Sequence, residues 1–293
     1  MKTKQKQTTY PLFEERSYRK CFSDATNLLM AEMAVFFHAF WLPSLLAGII
    51  VSALIFVPIQ APLAVMFLIF AVGVVLFIFV LANSLKGQTQ MLKKYNMALA
   101  DNPEVALLPL TLKGLMKNVS ESLGAFYLLV VQFAVLAVLA FATYELVQHF
   151  NTFYPWVGFG LIALFLMIPF NLSLSHQLYL DGNLFVSLKW AFQRTLRHFG
   201  STLVLLVLSF IFIAILGFFC YLPLFVLNMA MGASDASVML GDPTDLPVYV
   251  PVLRMLLGIL LLGVVSFSLL LWSLPQAFHF CSLRTREQNK TVR

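Results

Sequence analysis

The chain has 293 residues, of which 60% are hydrophobic and only 11% are charged, and its formal net charge is +6. A water-soluble domain is typically about half apolar and about a quarter charged, so these proportions exclude an ordinary soluble globule. They exclude an intrinsically disordered chain as well, and they predict an all-α polytopic membrane helical bundle with lipid as its main solvent.

The first 33 residues are rich in charge and are predicted to stay outside the membrane. Within them, Tyr18, Phe22, Ala25 and Leu29 share one helical face, with polar and charged residues opposite. This spacing predicts an amphipathic helix directly before the first span. The apolar stretch behind it is too long for the core of a secretory signal and has no small-residue cleavage site after it, so we interpret it as a membrane helix.

Six transmembrane helices are predicted, arranged as three hairpins. Met33 to Leu85 holds no Asp, Glu, Lys or Arg and is too long for a single crossing, which takes about 20 residues. Pro58 and Pro62 break it into two helices, and later turn residues divide the rest of the chain in the same way. The predicted spans are about 34–57, 62–84, 122–147, 156–179, 201–228 and 251–281, the last with a kink at Pro275.

Two later connectors repeat the design of the N-terminal segment. Thr111-Leu112-Lys113 aligns with Ser187-Leu188-Lys189, and Leu123-Gly124 aligns with Phe199-Gly200. Each window predicts an amphipathic helix that leads into a span, and the second places Leu188, Phe192, Thr195, Leu196 and Phe199 on one stripe. We therefore interpret residues 1–293 as a single integral membrane domain of three repeat-like units, about 17–85, 111–180 and 187–283, each an amphipathic helix followed by a hairpin.

The basic residues lie almost entirely on one side of the predicted bundle. All the Lys and Arg except Arg254 fall in the terminal segments and in the connections between spans two and three and between spans four and five. The positive-inside rule then predicts cytoplasmic N- and C-termini. Contact with anionic lipid headgroups is predicted for the basic residues of the amphipathic connectors: Lys113, Lys117, Lys189, Arg194 and Arg197. The alternative is that these helices only dock on the cytoplasmic ends of the bundle.

The repeated Ser/Thr-Leu-Lys and Leu/Phe-Gly windows, each leading into a hydrophobic hairpin behind a basic connector, resemble a group of bacterial six-span membrane domains. The group includes the multi-pass membrane domain attached to some glycerophosphodiester phosphodiesterases, together with stand-alone relatives of unknown function. The resemblance covers most of the chain in layout and implies a protein of the bacterial inner membrane. It carries over no catalytic residue, because the phosphodiesterase domain and its metal-binding acids have no counterpart in this sequence.

A few polar residues inside the spans are candidates for function. Gln132, Asn171 and Gln276 are candidates for a polar pathway, since the last two stand close after Pro169 and Pro275, where a broken helix frees backbone carbonyls. The alternative is that these prolines only kink the helices and improve their packing. His38, His176 and His279 fall at similar predicted depth, where three imidazoles could bind a metal or relay protons, but their spacing in sequence favours ordinary packing. No catalytic motif, cofactor or metal is predicted.

Two functions follow as hypotheses. The first is a non-enzymatic scaffold, regulatory or assembly protein, whose partners are the bilayer, its anionic cytoplasmic headgroups and another membrane protein or a second copy of the chain. The alternative is a transporter or channel for a small apolar or lipid-like solute. The positive charge is expected to serve membrane topology and not nucleic acid binding. An intramembrane enzyme would require a converged histidine or carboxylate cluster.

Overall fold

A computed structural model of the chain describes residues 10–56, 63–101, 119–150, 154–180, 183–239, 247 and 249–292. Its elements in this part of the chain are all α-helices: α1 (Tyr18–Ala31), α2 (Met33–Phe56), α3 (Leu63–Asp101), α4 (Val119–Phe150), α5 (Tyr154–Leu180), α6 (Leu184–Met239) and α7 (Val250–Val292). The six helices α2 to α7 are long and apolar enough to cross a membrane. The predicted all-α, six-span, multi-pass architecture is therefore confirmed.

The pairing of these helices is described only in part. Helices α4 and α5 pack against each other, as one predicted hairpin requires. The remaining hairpins, the repeat and its common design stay predictions. The proline-rich turn at 57–62 and most of the window at 111–123, with Lys113 and Lys117, lie outside the described residues.

Helix α3 runs well past the predicted end of its span. The helix was expected to stop near residue 84 and give way to a cytoplasmic connection, but it continues to Asp101. The reason is packing, because every residue from Ser84 to Thr89 is buried, including Lys86 and Gln88. The basic side chain that indicated a solvated connector lies inside the protein.

The predicted connector helix and the fifth span form one element, α6, with a kink. The kink is at His198, whose backbone angles of φ −123° and ψ 23° leave the helical region. Ser201 Oγ and Thr202 Oγ1 donate to the His198 carbonyl oxygen at 2.9 and 3.1 Å, which satisfies the acceptor that the kink frees. Helix α6 also extends to Met239 instead of ending near 228, so the residues directly after the predicted fifth span are helical as well.

The described contacts group the chain into two compact units. Unit 1 comprises Met1–Ala39, Ala82–Leu208 and Ser273–Arg293, and unit 2 comprises Phe40–Leu81 and Ser209–Trp272. The interior of unit 1 centres on the segment Leu274–Leu283 of α7, in which every residue is buried. The prediction of a single domain over 1–293 stays a prediction.

Unit 2 brings α2 and α7 into backbone contact. A Cβ atom built on Gly48 would lie 2.6 Å from the Ile259 carbonyl oxygen and 2.7 Å from the Gly263 nitrogen. Ser52, two turns from Ser44 on the same face of α2, donates its hydroxyl to the Met255 carbonyl oxygen at 3.4 Å. Small residues at such a crossing let helices approach closely in lipid, where dispersion replaces the hydrophobic effect.

Candidate functional site

The polar side chains that the structure buries are concentrated in unit 1. Most of them come from α3, α5, α6 and α7, near where the sequence predicts the cytoplasmic ends of the spans. The buried polar residues on these helices include Ser84, Lys86, Gln88, Thr89, Ser173, Ser175, His176, Ser187, Thr195, Thr202, Gln276, His279 and Ser282. Such a set could be catalytic, could line a path or could hold the helices together, and its hydrogen bonds distinguish these roles.

A serine and a histidine in this interior resemble a nucleophile and its base. His176 Nδ1 on α5 lies 2.9 Å from Ser187 Oγ on α6, and Ser187 donates its hydroxyl proton to Gln177 Oε1 at 3.0 Å. A hydroxyl has one proton, so His176 Nδ1 must donate to Ser187 Oγ and cannot accept from it. This arrangement is the reverse of nucleophile activation, which requires the histidine to take the serine proton.

Aromatic rings enclose His176. The Trp190 ring stands 5.0 Å from the imidazole, and the Phe280 ring stands 6.1 Å from it in an edge-on contact. Phe280 also packs against Trp190 and Tyr179. Ser187 is fully buried as well, so the pair forms part of the packed core.

The other two candidate histidines have different surroundings. His279 Nε2 on α7 lies 3.1 Å from Thr202 Oγ1 on α6, and both residues are buried. His38 on α2 is exposed and contacts the neighbouring Phe37 ring. Among the described residues no group of three or more His, Cys, Asp and Glu side chains is placed to hold a metal ion.

The three predicted pathway residues all lie in unit 1, two of them buried and one half-buried. Gln132 is buried on α4, Asn171 is half-buried on α5, and Gln276 on α7 is 4% exposed. Neither amide atom of Gln276 has a hydrogen-bond partner within the described part of the chain, and the Asn171 Nδ2 atom has none there either. Gln276 is therefore hydrogen-bonded to neither of the other two, although it remains an available polar group in the core.

An arginine that the sequence indicated only as a topology signal joins the N-terminal segment to α7. Arg16 is 2% exposed, and its guanidinium binds Asp24 at 2.7 Å and Glu14 at 2.8 Å. Its backbone nitrogen donates to Ser282 Oγ at 2.8 Å, and Arg286 donates to its carbonyl oxygen. We call this set of contacts the terminal clasp. Its only sequence signal was an arginine close to acidic residues.

The terminal clasp also surrounds a cysteine. Cys21 lies on α1, which begins with Ser17 accepting from the Lys20 nitrogen as an N-cap. Burial raises the pKa of the Cys21 thiol to about 11, and the nearby Arg16 charge opposes that rise only in part. Cys21 is therefore a packed thiol with little thiolate character and not a reactive nucleophile.

The first part of α6 has two distinct faces. Ser187, Ala191 and Thr195 recur every four residues and are buried in unit 1. Lys189 and large apolar side chains are exposed, with Phe185 at 78% and Leu196 at 77%. The predicted stripe is thus divided, because Thr195 docks whereas Leu196 and Phe192 face outward and Leu188 and Phe199 are half-buried.

Two of the predicted headgroup-binding residues line a pocket. Arg194 and Arg197 on α6 face the last turns of α7 across a cavity of about 680 Å³. Its basic and histidine lining consists of Arg194, Arg197, His198, Arg284, Arg286 and Lys290. Within the described part of the chain Glu287 is its one acidic lining residue, with an ion pair to Arg194 and a second at 3.7 Å to Arg284. We call this the basic pocket.

The α7 half of the basic pocket was not among the predicted sites. The sequence indicated Arg284, Arg286 and Lys290 only as positive charges that set the topology. The sequence feature that could have indicated them is the close spacing of basic residues directly after a span, at the predicted depth of Arg194 and Arg197. Sequence alone does not show that the two groups face each other.

Comparisons of the chain with protein-family models, with curated proteins and with solved structures find no match. The fold and the basic pocket therefore define the protein only as a multi-pass, all-α membrane protein. Its specific role has to be argued from the contacts described above.

Proposed function

We propose that the protein is a non-enzymatic scaffold, regulatory or assembly protein of the bacterial inner membrane, with both termini in the cytoplasm. The observation that carries the proposal is the two-faced start of α6. Ser187, Ala191 and Thr195 fix this helix to unit 1, while Phe192 and Leu196 point away from it beside the exposed Lys189. A helix held in this way presents an apolar and basic surface to the membrane interface.

The predicted orientation has support from the terminal clasp. Arg16 precedes the first span and Ser282 follows the last, and the two residues are hydrogen-bonded to each other. Residues in direct contact lie on the same side of a membrane. Both are surrounded by basic residues, which favour the cytoplasmic side.

We propose a non-enzymatic role because of the way the buried hydroxyl groups of unit 1 are hydrogen-bonded. Ser187 gives its proton to Gln177, and Thr202 Oγ1 lies within hydrogen-bond distance of the His198 carbonyl oxygen as well as of His279. These contacts connect α5, α6 and α7 and are typical of structural polar networks.

The experiment uses photo-crosslinking at α6. A photoreactive amino acid at Leu196 is expected to form adducts with lipid or with a partner protein in isolated membranes, whereas the same residue at buried Thr195 forms adducts within the chain. Adducts confined to the chain at both positions would contradict the surface role. Reporter fusions at the two ends test the orientation separately, and activity of either fusion in the periplasm would overturn that part.

The alternative of a transporter or channel is favoured by one observation, the unpartnered amide of Gln276 in the core. A solute passing through the bundle would use this group together with Gln132 and Asn171. Flux into proteoliposomes decides between the two functions. A solute flux that disappears when all three residues become Leu would support transport, and no protein-dependent flux is expected for a scaffold.

A further inference from the structure

The basic pocket has a charge that its own residues do not balance. Among the residues that the structure describes, five basic side chains line it against a single carboxylate. That carboxylate, on Glu287, is already engaged by Arg194 and Arg284. Arg197 and Lys290 contribute their charges at the exposed rim. Like charges concentrated in this way repel one another until an anion enters between them.

The kinds of donor in the pocket specify the anion. We infer that the basic pocket binds a phosphate group, carried either by a lipid headgroup or by a soluble molecule. Guanidinium groups present paired N–H donors that match phosphate oxygens, and arginines stand on both the α6 and the α7 walls. A phosphate monoester, with a charge of about −1.5 to −2, suits the charge excess better than a carboxylate does.

The shape of the pocket agrees with this assignment. Its volume of about 680 Å³ admits a small ligand, in the range of about 300–1,000 Å³ typical of ligand sites. The kink at His198 turns α6 at the pocket wall. Arg286 is positioned by its bond to the Arg16 carbonyl, and Arg194 by its ion pair with Glu287, so two of the donors are held in place before a ligand arrives.

The test uses the full chain in nanodiscs of zwitterionic phosphatidylcholine. Calorimetry measures binding of inorganic phosphate and of glycerol 3-phosphate. Native mass spectrometry measures retention of phosphatidic acid against phosphatidylcholine when both are present in the disc. Saturable binding of the soluble phosphates identifies a soluble ligand, and selective retention of phosphatidic acid identifies a lipid headgroup; either result supports the inference.

The variant R197Q/K290Q removes two rim charges whose side chains are exposed. It is expected to weaken phosphate binding about tenfold, the scale of one charge-assisted hydrogen bond. The pair R19Q/K94Q is the matched control, since it removes the same charge from an exposed arginine and an exposed lysine outside the pocket and should leave binding within about twofold. R197K/K290R, which keeps both charges, should bind within about threefold of the parent chain.

Two outcomes would overturn the inference. One is the lack of any saturable phosphate binding or phosphatidic acid retention by the parent chain. The other is an equal loss in R197Q/K290Q and R19Q/K94Q, which would show a general surface charge effect. The inference depends on the proposed function in one respect, namely that the pocket opens on the cytoplasmic face of the membrane. Nanodiscs expose both faces, so phosphate binding is measured whether or not the reporter fusions confirm cytoplasmic ends.

Discussion

The two units use the same long helices but hold them together by different interactions. In unit 1 the α7 segment Leu274–Leu283 is buried on all sides and carries Gln276, His279 and Ser282 among polar groups of its neighbours. In unit 2 the same helix carries exposed apolar side chains such as Val252, Leu256 and Leu260 and meets α2 through glycine.

The difference follows from what lipid supplies as a solvent. Apolar side chains gain nothing by leaving lipid for a protein interior, so unit 2 depends on close backbone approach and dispersion. Unit 1 adds to such packing a larger set of buried hydrogen bonds and ion pairs, which gain strength where water is scarce. Each of the following substitutions tests this comparison.

The largest effect is expected for Arg16→Met. The substitution leaves Asp24 and Glu14 without their buried partner and removes the guanidinium that stands 5.2 Å from the Phe278 ring. Loss of one member of a buried ion pair costs about 3–5 kcal/mol. Thermal unfolding in detergent should show a large fall in Tm, whereas Arg19→Met, an exposed arginine three residues away, should change the free energy of unfolding by about 0.5 kcal/mol or less. Equal falls in Tm for Arg16→Met and Arg19→Met would show that the terminal clasp contributes little to the stability of unit 1.

The next effect is expected in unit 2, for Gly48→Ala. The added methyl group would meet backbone atoms of α7 that cannot move individually, so the two helices must separate, at a cost of about 1–3 kcal/mol. Gly217→Ala is the matched control in the same unit, because its Cβ would meet only a Val265 methyl group at 3.8 Å. The control should be neutral or stabilising, since alanine favours the helix. A stable Gly48→Ala protein would contradict the close α2–α7 contact.

A smaller effect, of opposite sign, is expected for Gln276→Leu. The leucine removes two buried polar atoms that lack partners in the described part of the chain, so stability should rise by about 1 kcal/mol. Thr202→Val removes a partner of His279 and should lower stability by about 1 kcal/mol. Chemical denaturation of Gln276→Leu and Thr202→Val measures the change in the free energy of unfolding in each variant. A loss of stability in Gln276→Leu would indicate that the amide has a partner such as an ordered water.

The smallest effect concerns the chemistry of Cys21 and leaves the fold intact. A chain with Cys220 and Cys281 replaced by Ala is treated with iodoacetamide across a pH series. Because the folded-state pKa is raised from 9.0 to about 11, the thiolate fraction at neutral pH falls about a hundredfold, and the alkylation rate should keep rising up to about pH 11. The same linkage predicts that the contribution of buried Cys21 to stability is complete below pH 9 and is lost as pH rises toward 11. A rate that levels off near pH 9 in the folded chain would contradict the burial.

The spans were predictable because hydropathy reports directly on contact with lipid. Helix α2 was expected at 34–57 and occupies Met33–Phe56, and α5 was expected at 156–179 and occupies Tyr154–Leu180. Prolines and polar turn residues marked both ends. A single sequence contains this information because each helix must satisfy its own backbone in the membrane.

The site was less predictable because it depends on which charges face each other. Lys86 and Arg16 are buried, yet in the sequence they look like any other positive-inside residue. The basic pocket combines Arg194 with Arg286 and Lys290, residues more than 90 positions away. Sequence indicated that these residues share a membrane side, and only the packing of α6 beside α7 brings them to a common cavity.

The terminal clasp has a consequence for how the protein is made. Arg16 is bonded to a residue 266 positions later, so the N-terminal segment leaves the ribosome long before its partner exists. The Arg16 guanidinium can pair with Glu14 and Asp24 as soon as this segment is made, but its backbone nitrogen and carbonyl oxygen lack their partners until Ser282 and Arg286 are synthesised. The terminal clasp can therefore close only after the last helix has been synthesised, so the N-terminal segment reaches its final place late in assembly.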